Sequence, residues 1–335
     1  MNVAVVGGGS WGTTVAHLAA HQVPTMLWAR RPELAEEINT HHTNERYLPG
    51  FKLHPNLRCD PDLHDVVSGA DVIVMGVPSQ GFRSALEEVA QHARAWVPVV
   101  SLTKGLEQGS QLRMTQIINE VMPGHPAGVL TGPNLAKEIL AGDAAAAVLS
   151  TVDPIVAEQL QGIFHMNLFR VYTNPDVVGC ELAGALKNVF AIAAGMADGL
   201  GAGDNTKAMV ITRGLAELSR LGEAMGGRFA TFSGLAGMGD LMATCMSRQS
   251  RNRYVGEQLG LGHSIEEVIE SMNMVAEGVK TSRVVVSLAE EYGIEMPIAS
   301  EVYSVCHEGS TATDAYRGLV KGQTGGLEHS SLKFR

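Results

Sequence analysis

Two lysines, an aspartate, a threonine and an arginine stand out in this sequence as groups able to move a proton or hold an anion. Lys104 follows the apolar run 97–102 in SLTKGLE. A residue just past a strand's carboxyl end is placed to reach a ligand of an open α/β sheet. Lys187 lies in the helix-patterned segment 181–200, off an apolar stripe of Leu182, Leu186, Val189 or Phe190, Ala193 and Ala197. Its neighbours one turn away are Ala183, Gly184, Phe190 and Ala191, small enough in the main to let a ligand come close. Partial desolvation there would lower the amine's pKa, as a lysine acid–base group needs near neutrality. Asp240 and Thr244 are four residues apart, after a glycine-rich loop at 234–239. On a short helix or turn they share one face, where Asp240 can orient an ammonium or accept from a substrate hydroxyl. Ser250 has N-cap chemistry, which puts Arg251 and Asn252 in a first helical turn. The helix dipole disfavours arginine there, and a bound phosphate would remove the conflict. Spacing alone leaves blander readings open: a solvated loop lysine at 104, a snorkelling one at 187, a helix-start carboxylate at 240, an exposed arginine at 251.

The element that must carry a cofactor opens the chain. In NVAVVGGGSWGTTVAHLAA (2–20) an apolar run, Gly7, Gly9 and Gly12 in G-x-G-x-x-G spacing, and a helix-like run follow in order. Strand, glycine turn, helix is the context in which this pattern binds a dinucleotide. A second strand is expected at 25–29. The window past it holds Arg30 and Arg31 in place of the acid that grips a ribose in NAD sites; Glu33, after Pro32, reads as first-turn helix chemistry. Two arginines there suit a 2′-phosphate, so NADP(H) is expected over NAD(H), against the plainer reading of a solvated basic pair.

Residues 40–57 read as loop, with Pro49-Gly50 as a turn signal. Further strands are expected at 71–77, 97–102, 128–131, 144–151 and 167–172, with Gly132-Pro133-Asn134 following the strand at 128–131. Alternation of strands with helical segments implies a largely parallel, doubly wound α/β sheet. After Asn174-Pro175 helix periodicity takes over, so the expected fold is a Rossmann-type domain (1–178) followed by an all-helical domain (179–335). Asp204-Asn205-Thr206 is expected to cap a helix at 207–221, and Ser264 with Glu267 to form a capping box. Helices are also expected at 280–292 and 298–308, and a mobile tail from Gln323.

Composition narrows the class. The chain of 335 residues has net charge −10, which argues against a nucleic-acid partner. No apolar run is seen to approach a membrane span, and no signal peptide opens the chain, so membrane insertion is not expected. Cys59, Cys180, Cys245 and Cys306 lack metal or C-x-x-C spacing, which suits reduced thiols in a cytoplasmic protein with no metal site. The pair His41-His42 reads as ordinary surface histidines.

Taken together the chain resembles the NAD(P)-dependent glycerol-3-phosphate dehydrogenases of bacterial type. The resemblance is carried by VVGGGSWGTTVA (5–16), ERYLPG (45–50), SLTKGLE (101–107), GPNLAKEI (132–139), ELAGALKNVFAIAAGMADGLGAGDNTKA (181–208), GMGDLMATC (237–245), QSRNRYVG (249–256) and MVAEG (274–278). It covers nearly the whole chain except the tail. It implies that Lys187 is the proton donor and acceptor, with Lys104, Asp240 and Thr244 beside it. It implies cofactor contacts at Gly7, Gly9, Ser10, Trp11, Gly12, Arg30, Arg31, Lys104, Ala136, Arg251, Val275 and Glu277. Substrate contacts are implied at Lys104, Gly132, Asn134, Lys187, Asp240, Ser250, Arg251 and Asn252. The family usually has serine or threonine where this chain has Asn134, whose amide offers similar contacts. The implied reaction is reversible reduction of dihydroxyacetone phosphate to sn-glycerol 3-phosphate, a source of the phospholipid backbone, by an enzyme able to pair as a homodimer. A dehydrogenase of a hydroxy acid, or a dinucleotide-sensing regulator without turnover, are the competing readings.

Overall fold

The computed structural model describes residues 1–272 and 276–321. Eight strands form one sheet: β1 (Val3–Val6), β2 (Thr25–Trp28), β3 (Arg58–Asp60), β4 (Val72–Met75), β5 (Val99–Ser101), β6 (Ala127–Thr131), β7 (Ala145–Thr151) and β8 (Phe169–Asn174). Their spatial order is β3-β2-β1-β4-β5-β6-β7-β8. β1 and β4 are apolar and buried along their whole length, as strands covered on both faces must be. Two separate cores, one on each face, pack helices against the sheet.

Two features depart from the sequence reading. β3 was not expected. It is a three-residue edge strand with two charged residues, and it follows directly on the segment read as loop. β7 pairs antiparallel to β6, and β8 runs parallel to β7, so the sheet's last two strands oppose the first six.

The order of strands reverses between β1 and β4, and there the glycines take effect. A Cβ on Gly7 would lie 2.5 Å from the Gly76 carbonyl oxygen; one on Gly12 would lie 2.1 Å from the Gly7 carbonyl oxygen. Only bare backbone lets the Ser10–Ala20 helix sit this close to the two strand tips.

The second half is helical, built around the helix Val177–Gly199. The expected single apolar stripe is an underestimate: nearly every residue from Val177 to Ala197 is buried. At 23 residues and mean hydropathy 1.5 it is also long and apolar enough to cross a membrane, which corrects the reading that no run approaches that length. Its most apolar 18-residue stretch is 94% buried inside the protein, the condition of a core helix. The helix Arg251–Gly260 crosses it at backbone contact. Cβ atoms on Gly195 and Gly199 would meet the carbonyls of Arg253 and Glu257 at 2.0 and 2.2 Å; those on Gly256 and Gly260 would meet the carbonyls of Ile192 and Met196 at 1.9 and 2.5 Å.

Smaller local expectations divide. Ser264 and Glu267 do form a capping box. The helix expected from 207 begins instead at Asp204, with Gly203 as N-cap and the Asp204 side chain almost fully exposed. The segment read as a glycine loop is a π-helical turn, Leu235–Gly239, that runs straight into the helix Asp240–Met246. The four cysteines are free and buried. The tail from Gln323 lies outside the described residues.

Candidate active site

The carboxyl ends of β4, β5 and β6 face the helical half, and the chemically interesting side chains meet there. Lys187 is 3% exposed in the middle of the long core helix. Its Nζ donates to Thr244 Oγ1 at 2.5 Å and pairs with Asp240 Oδ1 at 3.1 Å. Lys104 reaches across from the β5 tip: its Nζ donates to Asp240 Oδ2 and to the Gly132 carbonyl, each at 2.7 Å. One carboxylate therefore bridges two ammoniums from opposite halves of the chain.

The surface-lysine reading of Lys187 fails on burial, and the loop-lysine reading of Lys104 fails on its bonds. Gly184 does leave room, but it is taken by the Thr131 hydroxyl and the Lys104 stem: a Cβ there would lie 2.8 Å from Thr131 Oγ1 and 3.5 Å from Lys104 Cγ. Asp240 and Thr244 share a face as spaced, and the Thr244 hydroxyl donates to the Asp240 carbonyl at 2.6 Å, fixing the oxygen that receives Lys187.

Burial is the main influence on the Lys187 amine. Desolvation, with the Lys104 cation adding to it, outweighs the Asp240 carboxylate and lowers the pKa to about 8. The ammonium then loses its proton readily near neutral pH, which a solvated lysine does not.

A second chain of contacts sets the neighbouring helix starts. Ser250 caps its helix, accepting from Arg253 N at 3.2 Å, so Arg251 and Asn252 occupy the first turn as expected. Asn252 donates to Asn188 Oδ1 at 2.9 Å and accepts from Gly278 N at 2.9 Å. Asn188 in turn donates to the Lys104 carbonyl at 3.2 Å. Neither Asn188 nor Ser79, which contacts Glu277, was singled out in the sequence. The signals were present: a polar amide beside Lys187 in an apolar run, and a serine just past the β4 tip.

Whether these residues suit a dinucleotide can be judged from the glycine turn. The Ser10–Ala20 helix has Gly9 as N-cap, no side-chain cap and no acid in its first turn. Its first N–H groups are thus offered to an anion. A Cβ on Gly9 would meet nothing within 4 Å, so the space beside it is open. Trp11 Nε1 and both amide atoms of Asn134 are buried without a partner among the described residues, as groups awaiting a ligand are. Arg30 is exposed with its guanidinium 6.0 Å from the centre of the Trp28 ring, while Arg31 is the N-cap of the helix Pro32–His41, with Glu33 in its first turn. Gly132 carries φ +116° at the β6 tip, and Ala136 begins the next helix, Ala136–Ala141. Val275 lies outside the described residues.

The family profile described as NAD-dependent glycerol-3-phosphate dehydrogenase N-terminus matches residues 2–157, and its C-terminus counterpart matches 176–317. The chain belongs to the NAD-dependent glycerol-3-phosphate dehydrogenase family. Glycerol-3-phosphate dehydrogenase NAD(P)+ 2 of Sphingopyxis alaskensis is 59% identical over 98% of this chain and 99% of its own length. The Mycobacterium avium glycerol-3-phosphate dehydrogenase NAD(P)+ is 56% identical over 98% of this chain and 97% of its own. The crystal structure of glycerol-3-phosphate dehydrogenase from Coxiella burnetii superposes with TM-score 0.91 at 35% identity, covering 96% of this chain and 98% of that one. Membership in this dehydrogenase family displaces the hydroxy-acid and regulator readings, and confirms a Rossmann-like domain followed by a helical one.

Proposed function

We propose that this glycerol-3-phosphate dehydrogenase family member reduces dihydroxyacetone phosphate to sn-glycerol 3-phosphate with Lys187 as the acid, and that the bridge Lys187–Asp240–Lys104 carries the reading. When bound, the nicotinamide supplies a hydride to the ketone carbon. Lys187 then passes its proton to the oxygen that becomes negative, and takes it back in the reverse direction. General acid catalysis of this kind contributes about 10²- to 10⁴-fold. Lys104 adds positive charge beside the same oxygen, and electrostatic stabilisation in a dry site contributes on a comparable scale. Asp240 and Thr244 keep both amines in register through the bonds described above. Lys187 and Asp240 are buried and Lys104 is partly so, which keeps most water away and lets the charges act with reduced screening.

The phosphate falls to Arg251, Asn252 and the helix start capped by Ser250, with Gly132 and Asn134 lining the substrate. The trio holds two positive charges against one negative, so an incoming dianion is attracted into an otherwise acidic protein. On the cofactor side, Gly7, Gly9, Ser10, Trp11 and Gly12 take the pyrophosphate, and Ala136, Val275 and Glu277 the nicotinamide end. Arg30 and Arg31 take the 2′-phosphate, so NADP(H) is preferred and NAD(H) is the weaker alternative. The functional division follows residues 1–178 and 179–335, consistent with the sheet ending at Asn174 and the core helix starting at Val177. The product feeds phospholipid synthesis, and we place the enzyme in the cytoplasm as a homodimer that inserts into no membrane and binds no nucleic acid.

The decisive assay follows loss of NADPH absorbance on adding dihydroxyacetone phosphate. Turnover that depends on Lys187 is expected. A Lys187→Ala variant with wild-type rate and unchanged pH dependence would remove the acid role; sedimentation as a monomer would remove the dimer.

A further inference from the structure

We propose that Ser79 is a positioning residue for the cofactor: its hydroxyl turns the Glu277 carboxylate so that one oxygen is committed to the protein and the other is left to a ligand donor. The inference rests on the reading of Glu277 as a contact of the nicotinamide end. Ser79 is 1% exposed and sits four residues past β4, after Pro78. Its Oγ donates to Glu277 Oε2 at 2.7 Å. Its backbone N lies 3.4 Å from Oε1, a long and weak contact, so Oε1 keeps most of its accepting capacity. A cofactor carboxamide presents N–H donors and would use it.

The junction is built for this meeting between residues 198 positions apart. Gly105, next to Lys104, lies directly beneath. A Cβ there would be 2.8 Å from Ser79 Oγ and 3.1 Å from Glu277 Oε2, so any side chain would part the two. Gln80 fixes the β4 tip to the same loop, donating to the Leu106 carbonyl at 2.9 Å and accepting from Gln108 N at 3.0 Å. On the other side Glu277 opens the helix Glu277–Tyr292, whose second residue is tied through Gly278 N to Asn252. Backbone on both sides is thus held, and only the carboxylate's rotation remains to be set. Without the Ser79 hydroxyl it is drawn to its own helix N-terminus or to Arg251, whose charge attracts it. Either turn takes the acceptor away from the cofactor.

The test measures NADPH affinity of the cofactor-free protein by fluorescence titration, its melting temperature, and KM for each substrate. Ser79→Ala is expected to weaken NADPH binding about tenfold, the loss of one hydrogen bond to a charged group. Ser79→Thr, which keeps a hydroxyl, is expected to stay within about twofold. KM for NADPH should rise with kcat and KM for dihydroxyacetone phosphate little changed. In a Glu277→Ala background Ser79→Ala should add nothing. Equal losses in both backgrounds, or full affinity in Ser79→Ala, overturn the inference. Full affinity in Glu277→Ala instead overturns the reading of Glu277. If Ser79→Ala melts too low to titrate, Gly105→Ala probes the same junction, and unchanged NADPH affinity there overturns the proposal.

Discussion

Both halves of this protein use glycine to bring backbones together, yet with different consequences. In the sheet half, Gly7 and Gly12 are five residues apart and close one strand–turn–helix unit against Gly76. In the helical half, Gly195 and Gly199 meet Gly256 and Gly260 across helices about sixty residues apart in sequence. The first junction shapes a surface that is left open at Gly9. The second is sealed, and it fixes the helix that begins at Arg251 against the core helix that carries Lys187. Glycine in the turn therefore serves a ligand, whereas glycine at the helix crossing serves the placement of catalytic side chains.

The largest effect tests what the helical crossing delivers. Lys187→Ala is expected to lower kcat for reduction by about 10²- to 10⁴-fold. The pH profile should agree. Reduction needs the protonated amine, so its rate is level at low pH and falls through about 8; oxidation needs the neutral amine and rises through the same value. The inflection near 8 should vanish in Lys187→Ala.

Gly256→Ala comes next. Its methyl would lie 1.9 Å from the Ile192 carbonyl, and rigid backbone cannot yield. A loss of roughly 3 kcal/mol in urea unfolding is expected, with activity falling alongside. Gly9→Ala sharpens the contrast. Its φ of −73° suits any residue and its Cβ meets nothing, so stability should change by less than about 1 kcal/mol. NADPH affinity should nonetheless fall, by about 30-fold, because the methyl takes space meant for phosphate. If Gly9→Ala unfolds the protein, or Gly256→Ala does not weaken it, the contrast is wrong. The smallest effect is Arg30→Ala: KM for NADPH rises about tenfold and KM for NADH stays within about twofold, measured by steady-state kinetics.

Legibility tracked the distance over which each feature is encoded. The glycine turn, the β4, β5 and β6 tips, the Ser250 cap and the Asp240–Thr244 face all follow from residues within a few positions of one another, and each forms as read. β3 was illegible because three residues, two of them charged, bear no pattern; β3 exists because β2 offers it a partner. The direction of β7 was equally hidden, since an apolar strand reads the same either way. The small neighbours of Lys187 do leave space beside Gly184, but a threonine and a lysine from the other half, Thr131 and Lys104, fill it. Ser79 and Asn188 escaped because their partners, Glu277 and Asn252, lie far along the chain.

By itself the sequence determined the cofactor turn, the two-part architecture and the residue types able to do the chemistry, because hydrophobic periodicity and turn stereochemistry act locally. Tertiary structure alone decided that one carboxylate bridges Lys104 and Lys187, and that the latter is dry enough to titrate near neutrality. Desolvation depends on everything packed around a charge, and those neighbours come from every part of the chain.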